Sequence, residues 1–225
     1  DCFGSTTGSA RFTVSNSSGG PGSYTVVTSP VIPPAQIAIS GNVYTITGLA
    51  NGTYTFSVTD NTTGCTDSKP VTITQPVAAL AITNATATNV FCSNDNSQIT
   101  VTATGGTTNY GYAAVISGAS APTVFGTSNV ITVDTNSGAN LVWDVYVRDA
   151  KGCTTAPTTV TIINNGTPTV TASVTNQCSA SGSSFQILAV GSGGLAPYTY
   201  SINTGLAPSP ANTFTVAAGT YTITA

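Results

Sequence analysis

A short pattern is written three times along this chain at a nearly constant step. Cys2, Cys92 and Cys178 stand 90 and 86 residues apart, and Cys65 and Cys153 stand 88 apart. Each first cysteine leads into a Gly/Ser-rich stretch, a Gly-Gly pair and a run with alternating aromatics. A Gly-Cys pair follows before the unit ends. Repetition at this step means tandem units, each one supersecondary block that must bury its own apolar face. The 225 residues hold two nearly whole units of about 90 residues and a third cut short. Pro76, after Gln75, and Pro168, after Thr167, mark the boundaries, because proline has no N–H to continue a ladder. The expected units are 1–76, lacking its N-terminal strand, then 77–166, then 167–225, truncated at the C-terminus.

Within each unit the apolar residues alternate with Thr or Ser, the period of a half-buried strand. Ala10, Phe12 and Val14 share one face. Tyr24 and Val26, Ile37 and Ile39, Tyr44 and Ile46, Tyr54, Phe56 and Val58, and Val71 and Ile73 follow. Threonine fills most outward positions, where its branched Cβ favours extended backbone and its hydroxyl stays in water. The second unit repeats the order, with four long strands expected near 97–104, 109–116, 129–134 and 141–148, in up-and-down pairing between Cys92 and Cys153. The third places Val170, Ala172 and Val174 on one face, then Phe185, Ile187 and Ala189, and closes at Tyr221 and Ile223. No helical period runs for ten residues. About seven short strands per unit, with turn signals between them, predict an all-β chain of tandem immunoglobulin-like β-sandwich units.

Composition closes several function classes. Only 5% of residues are charged, and the four basic ones, Arg11, Lys69, Arg148 and Lys151, are scattered. A nucleic-acid partner needs clustered Lys and Arg to displace counterions, so that class is excluded. No apolar run reaches the 18 residues of a membrane-spanning helix. Histidine and glutamate are absent, and the carboxylates are seven aspartates. Ser and Thr nucleophiles need a positioned base, and zinc sites want His or closely spaced Cys. The reading is therefore a non-enzyme that needs no cofactor.

The cysteines are the next signal. Cys2 to Cys65 and Cys92 to Cys153 are separated by 63 and 61 residues. These matched intervals predict one bridge inside each unit, with Cys178 paired to a cysteine near position 231 or 232. Such bridges belong to an oxidising, extracellular setting. The aromatics Tyr54, Trp143 and Tyr221 recur ahead of the second cysteine position, and Leu49-x-x-Gly52-x-Tyr54 has the form of a tyrosine corner, in which the ring pins a connection between sheets. Asp60, Asp67 and Asp149 flank the Gly-Cys turns. They are the candidates for a calcium site, which wants several oxygen ligands. The preferred reading is that each carboxylate caps its own turn.

Three runs together resemble the SprB-type repeats of large Bacteroidetes surface proteins, named for a gliding-motility adhesin. They are Gly193-Gly194 with Pro197-Tyr198-Thr199-Tyr200-Ser201, the stretch from Gly52 to Thr66, and Val71-Thr72-Ile73-Thr74-Gln75-Pro76. The second unit departs from the pattern, with Asn109-Tyr110-Gly111-Tyr112 lacking the proline and Trp143 in place of Gly-Thr-Tyr. The resemblance implies secretion by the type IX pathway and tandem arrays on the bacterial cell surface. The expected function is that of a structural repeat segment of a secreted adhesin or filament, serving attachment and gliding. Its partners would be neighbouring repeats of the same chain, surface glycans or other cells. A glycan-binding module or a self-assembling filament subunit is the alternative.

Overall fold

The computed structural model describes residues 1–15, 23–92, 96–175, 184–203 and 207–225. Six strands come first: β1 (Gly8–Thr13), β2 (Tyr24–Ser29), β3 (Ile37–Ser40), β4 (Val43–Leu49), β5 (Gly52–Asp60) and β6 (Thr66–Ile73). They form two antiparallel sheets, ordered β1-β4-β3 and β2-β5-β6. The second set is β7 (Ala81–Ala87), β8 (Asn96–Thr104), β9 (Gly111–Ile116), β10 (Val130–Asp134), β11 (Val142–Arg148) and β12 (Thr158–Thr161). Its sheets run β10-β8-β7 and β12-β11-β9. The last set is β13 (Thr169–Val174), β14 (Phe185–Ser192), β15 (Ser201–Ile202), β16 (Thr213–Val216) and β17 (Ile223–Thr224), ordered β13-β14-β16 and β15-β17.

The four strands expected between Cys92 and Cys153 are present as β8 to β11. Their pairing is not up-and-down. β8 pairs with β10, and β9 pairs with β11, so the chain changes sheet at every step. Lettered by order, β7, β8 and β10 are strands A, B and E of one sheet, and β9, β11 and β12 are C, F and G of the other. That division is the immunoglobulin arrangement. The chain is therefore all-β and built of tandem immunoglobulin-like sandwiches.

Two core clusters follow from the alternation. One gathers Ile46, Leu49, Phe56, Tyr44 and Tyr54 from both sheets of the first set, with Phe12 stacked on Tyr44 at 5.0 Å between ring centres. The other gathers Ile99, Val101, Val145 and Val147, all fully buried, with Val90, Val133, Val160 and Ile162. Ile39 departs from its expected inward position. It lies near the end of the short edge strand β3 and is exposed. The inward face expected on β13 is open as well, with Val174 and Ala172 exposed. Among the described residues the opposing sheet there has only β15 and β17, of two residues each, too little to cover it.

The Gly-Gly turns have a packing reason. Gly105 and Gly106 both hold positive φ, 74° and 59°, and Gly193 and Gly194 do the same at 67° and 57°. A Cβ on Gly105 would strike the Ala79 carbonyl, and one on Gly193 would meet the Thr167 carbonyl. In both copies the segment entering the unit lies against this turn, so side chains are excluded by space as well as by conformation. Tyr110 Oη donates to the Gly105 carbonyl at 2.6 Å, and Tyr198 Oη donates to the Gly193 carbonyl in the same way.

Candidate functional site: the junction between the first two units

The cysteine pairing differs from the expected one. Cys2 is bonded to Cys153, with their Cα atoms 5.7 Å apart and 151 residues between them in sequence. Cys65 and Cys92 are free and exposed. Cys178 lies outside the described residues. The reason is which end of a sandwich each cysteine occupies. The Gly4 amide donates to the Gln75 side chain at 2.8 Å, which puts Cys2 at the end where the first unit passes into the second. Cys65 sits in the turn between β5 and β6, at the opposite end of β6 from Ile73. Eight strand residues at about 3.3 Å each separate those ends by roughly 25 Å, and a bridge needs Cα atoms within about 7 Å.

The same geometry separates Cys92 from Cys153. The Cys92 amide donates to the Gly166 carbonyl at 3.0 Å, at the far end of the second unit. Cys153 follows β11 at the near end, where Arg148 bridges Thr154. The disulfide therefore staples a junction instead of closing one unit.

Asp149 shapes the turn that presents Cys153. Its carboxylate is buried and accepts the amides of Thr107 at 2.9 Å, Lys151 at 2.8 Å and Cys153 at 2.9 Å. Burial pushes its pKa up, and the Thr107, Cys153 and Lys151 amides together outweigh that push, holding it below the usual carboxylate value. A charge-assisted hydrogen bond of this kind contributes about 1.5–3 kcal/mol, and three that share one carboxylate do not add. Asp149→Ala is expected to lower stability by about 2–3 kcal/mol, since it leaves those amides unpaired. A folded-state pKa below the unfolded value contributes stability that is present above about pH 4 and lost as pH falls through the folded pKa. The wild-type advantage over Asp149→Ala should thus shrink below about pH 4 in urea titrations. An advantage that grows in acid would refute this role.

The other two calcium candidates use their oxygens locally. Asp60 accepts the amides of Thr62 at 2.8 Å and Thr63 at 3.1 Å, capping the turn that leads to Cys65. Asp67 accepts the Ser68 amide and makes an exposed ion pair with Lys69 at 3.4 Å. Among the described residues no group of three or more Cys or Asp side chains converges to hold a metal ion.

The three repeated aromatics each donate to a carbonyl just upstream. Tyr54 Oη reaches the Ala50 carbonyl at 3.1 Å, Tyr221 Oη the Ala217 carbonyl at 3.1 Å, and Trp143 Nε1 the Asn140 carbonyl at 3.1 Å. Tyr54 stands near the start of β5, strand F in the lettering above, where a tyrosine corner belongs. The indole keeps the same bond with a different ring. Tyr54→Phe keeps the buried ring and removes only the hydroxyl. It is expected to cost about 1 kcal/mol, read as a shift in the urea midpoint with an unchanged slope.

One buried acid escaped the sequence reading. Asp144, on β11, accepts hydrogen bonds from Thr159 Oγ1 at 2.8 Å, the Gly118 amide at 3.1 Å and Ser117 Oγ at 3.1 Å. Thr159 and the Gly118 amide hold its pKa low against the opposing effect of burial, with help from Ser117. Its signal was a lone charge inside Val142-Trp143-Asp144-Val145, where an unpaired carboxylate would be costly.

No known protein family matches this sequence, and no curated protein matches it. Solved structures that resemble it include Sidekick-1 immunoglobulin domains 1–5, at 12% identity and a TM-score of 0.34, over 93% of this chain. The chain spans 50% of that protein's length. Fibronectin(III)-like modules of Clostridium thermocellum CbhA match 69% of the chain, and 86% of their own, at 14% identity and a TM-score of 0.27. Domains 4–9 of the surface layer protein SbsC match 84% of the chain, and 31% of their own, at 13% identity and a TM-score of 0.28. Among the described residues no helix is long and apolar enough to cross a membrane.

Proposed function

We propose that this chain is a structural repeat segment of a large secreted protein, displayed on a bacterial cell surface as an adhesin or filament. Its units are 1–76, 77–166 and 167–225, and its main partners are neighbouring repeats of the same kind. The observation that carries the reading is the Cys2–Cys153 staple between two sandwiches of one repeat. A bridge across a junction restrains the angle between units, which serves a stalk and would hinder a hinged enzyme. It also requires an oxidising compartment. The resemblance to SprB-type repeats points to Bacteroidetes, type IX secretion and a service in gliding.

The glycan-binding alternative has less support, because Tyr24, Tyr44, Tyr54, Tyr146 and Tyr200 are buried and give sugars no stacking face. Antibody raised against residues 1–225 should label intact cells of the source organism, and brief external protease should release the antigen. Labelling that needs permeabilised cells would end the surface reading.

A further inference from the structure

We propose that the outer edge of β2 pairs with β2 of a second copy of this chain, the two strands lying antiparallel about a two-fold axis.

The register of the units identifies the edge. The Asp60 amide bonds the Cys65 carbonyl as the Asp149 amide bonds that of Cys153. Val26 lies opposite Val58, and Tyr112 lies opposite Val147, so Val26 stands where Tyr112 stands. In the second unit the Tyr112 amide and carbonyl point away from β11 and both bond Gly126, at 2.7 and 2.9 Å. Tyr200 of the third unit makes the same two bonds with Ser209, at 2.7 and 3.0 Å. Val26 has no such partner among the described residues. Alternate residues of an antiparallel strand turn their main-chain groups to the same side. Tyr24, Val26 and Thr28 therefore present their amides and carbonyls outward.

The cause lies in the segment that follows. In the second unit that segment returns beside β9 at Gly126, and the Phe125 ring lies 4.4 Å from the Arg148 guanidinium. In the first unit it carries Pro30, Pro33 and Pro34, which have no N–H to give to an edge. It crosses to the other sheet instead, where it forms β3 on β4.

The other edges of the first unit are blunted against strand pairing. β1 carries Arg11 and a register shift between Gly8 and Ala10, β3 is four residues long, and β6 holds Asp67, Lys69 and Pro70. β2 reads Tyr24-Thr25-Val26-Val27-Thr28-Ser29, with no charge, proline or bulge. Its flank also exposes apolar surface, with Val27 on β2 at 58% and Ile39 on β3 at 61% exposure. β1 packs beside β6, so β2 and β3 share this flank, and Tyr24 Oη donates to Asn42, in the turn after β3, at 3.2 Å.

The edge is its own complement. With Val26 facing Val26 of the second copy, each facing pair can exchange both main-chain bonds. Tyr24 then meets Thr28 and Thr25 meets Val27, pairs of the aromatic and β-branched kinds that stabilise a sheet. No like charges meet. A two-fold contact of this kind closes at two copies. The inference stands whether or not the protein is displayed on a cell.

The test uses the whole chain with its free thiols alkylated, so that no disulfide links two copies. Sedimentation equilibrium should show reversible dimers, and nothing larger, below about 1 mM chain. Hydrogen exchange at the Tyr24, Val26 and Thr28 amides should slow at least tenfold from dilute to concentrated samples, while that at Tyr112 keeps its rate. Val27→Lys should weaken dimerisation at least tenfold with the urea midpoint unchanged, because the two lysines lie diagonally across the axis. Thr25→Lys should do the same. An equal mixture of Val27→Lys and Val27→Glu chains should restore the dimer. A chain still monomeric at about 1 mM overturns the proposal. So does dimerisation that survives both lysine variants. Protection that rises with concentration at β10 or β13 in place of β2 would mean pairing through another edge and also overturns it.

Discussion

Reduction of the chain, or Cys2→Ser, should lower the free energy for unfolding the first two units together by about 5 kcal/mol. The bridge closes a loop across 151 residues of sequence, and the entropy returned to the unfolded chain grows with the logarithm of that length. The Tm should fall by on the order of 10–20 °C in scanning calorimetry. A within-unit bridge would give about 4 kcal/mol, too close for calorimetry to discriminate. Peptide mapping without reductant decides the connectivity. A linked pair containing Cys2 and Cys153 is expected, and a Cys2–Cys65 pair would refute the staple.

Ile99→Ala should destabilise the second unit by about 2–5 kcal/mol. Ile99 is fully buried at the centre of β8, between β7 and β10, so its removal leaves a cavity that two flanking strands prevent from collapsing. Trp143 is the sole tryptophan of the chain and lies against the same cluster, so its fluorescence reports this unit alone. A loss below about 1 kcal/mol would mean that the site relaxes and that the core is not close-packed there. The equivalent change at Phe12 removes a side chain that is only half-buried.

The faces of the strands were legible because Thr and Val alternate with period two, and that period is a property of extended backbone itself. The partners were not. Period two states which side chains point inward and is silent on which strand lies alongside, so β8 was read as a neighbour of β9 when it pairs with β10. The cysteine spacing misled for a related reason. The first two units each carry both cysteines, so equal intervals fit a bridge within a unit and a bridge to the next unit equally well. Only the end of the sandwich at which Cys65 lies, the length of β6 away from Cys2, separates the two. The corner aromatics Tyr54, Trp143 and Tyr221 were legible from position, whereas Asp144 was hidden in a run of strand-forming neighbours. Its partners Ser117 and Thr159 are 27 and 15 residues away in sequence.

The staple also sets the path of mechanical load. A pull applied at the two ends of the chain enters at Cys2 and passes through the sulfur atoms to Cys153. The polypeptide between them, fully extended, would measure about 500 Å. Under oxidising conditions none of that length can be drawn out, and strands β1 to β11 are relieved of tension, whereas β12, which follows Cys153, stays in the line of force. Reduction would return them to the line of force. The covalent bond acts as a strain limiter, and β12 and the third unit are the parts that yield first.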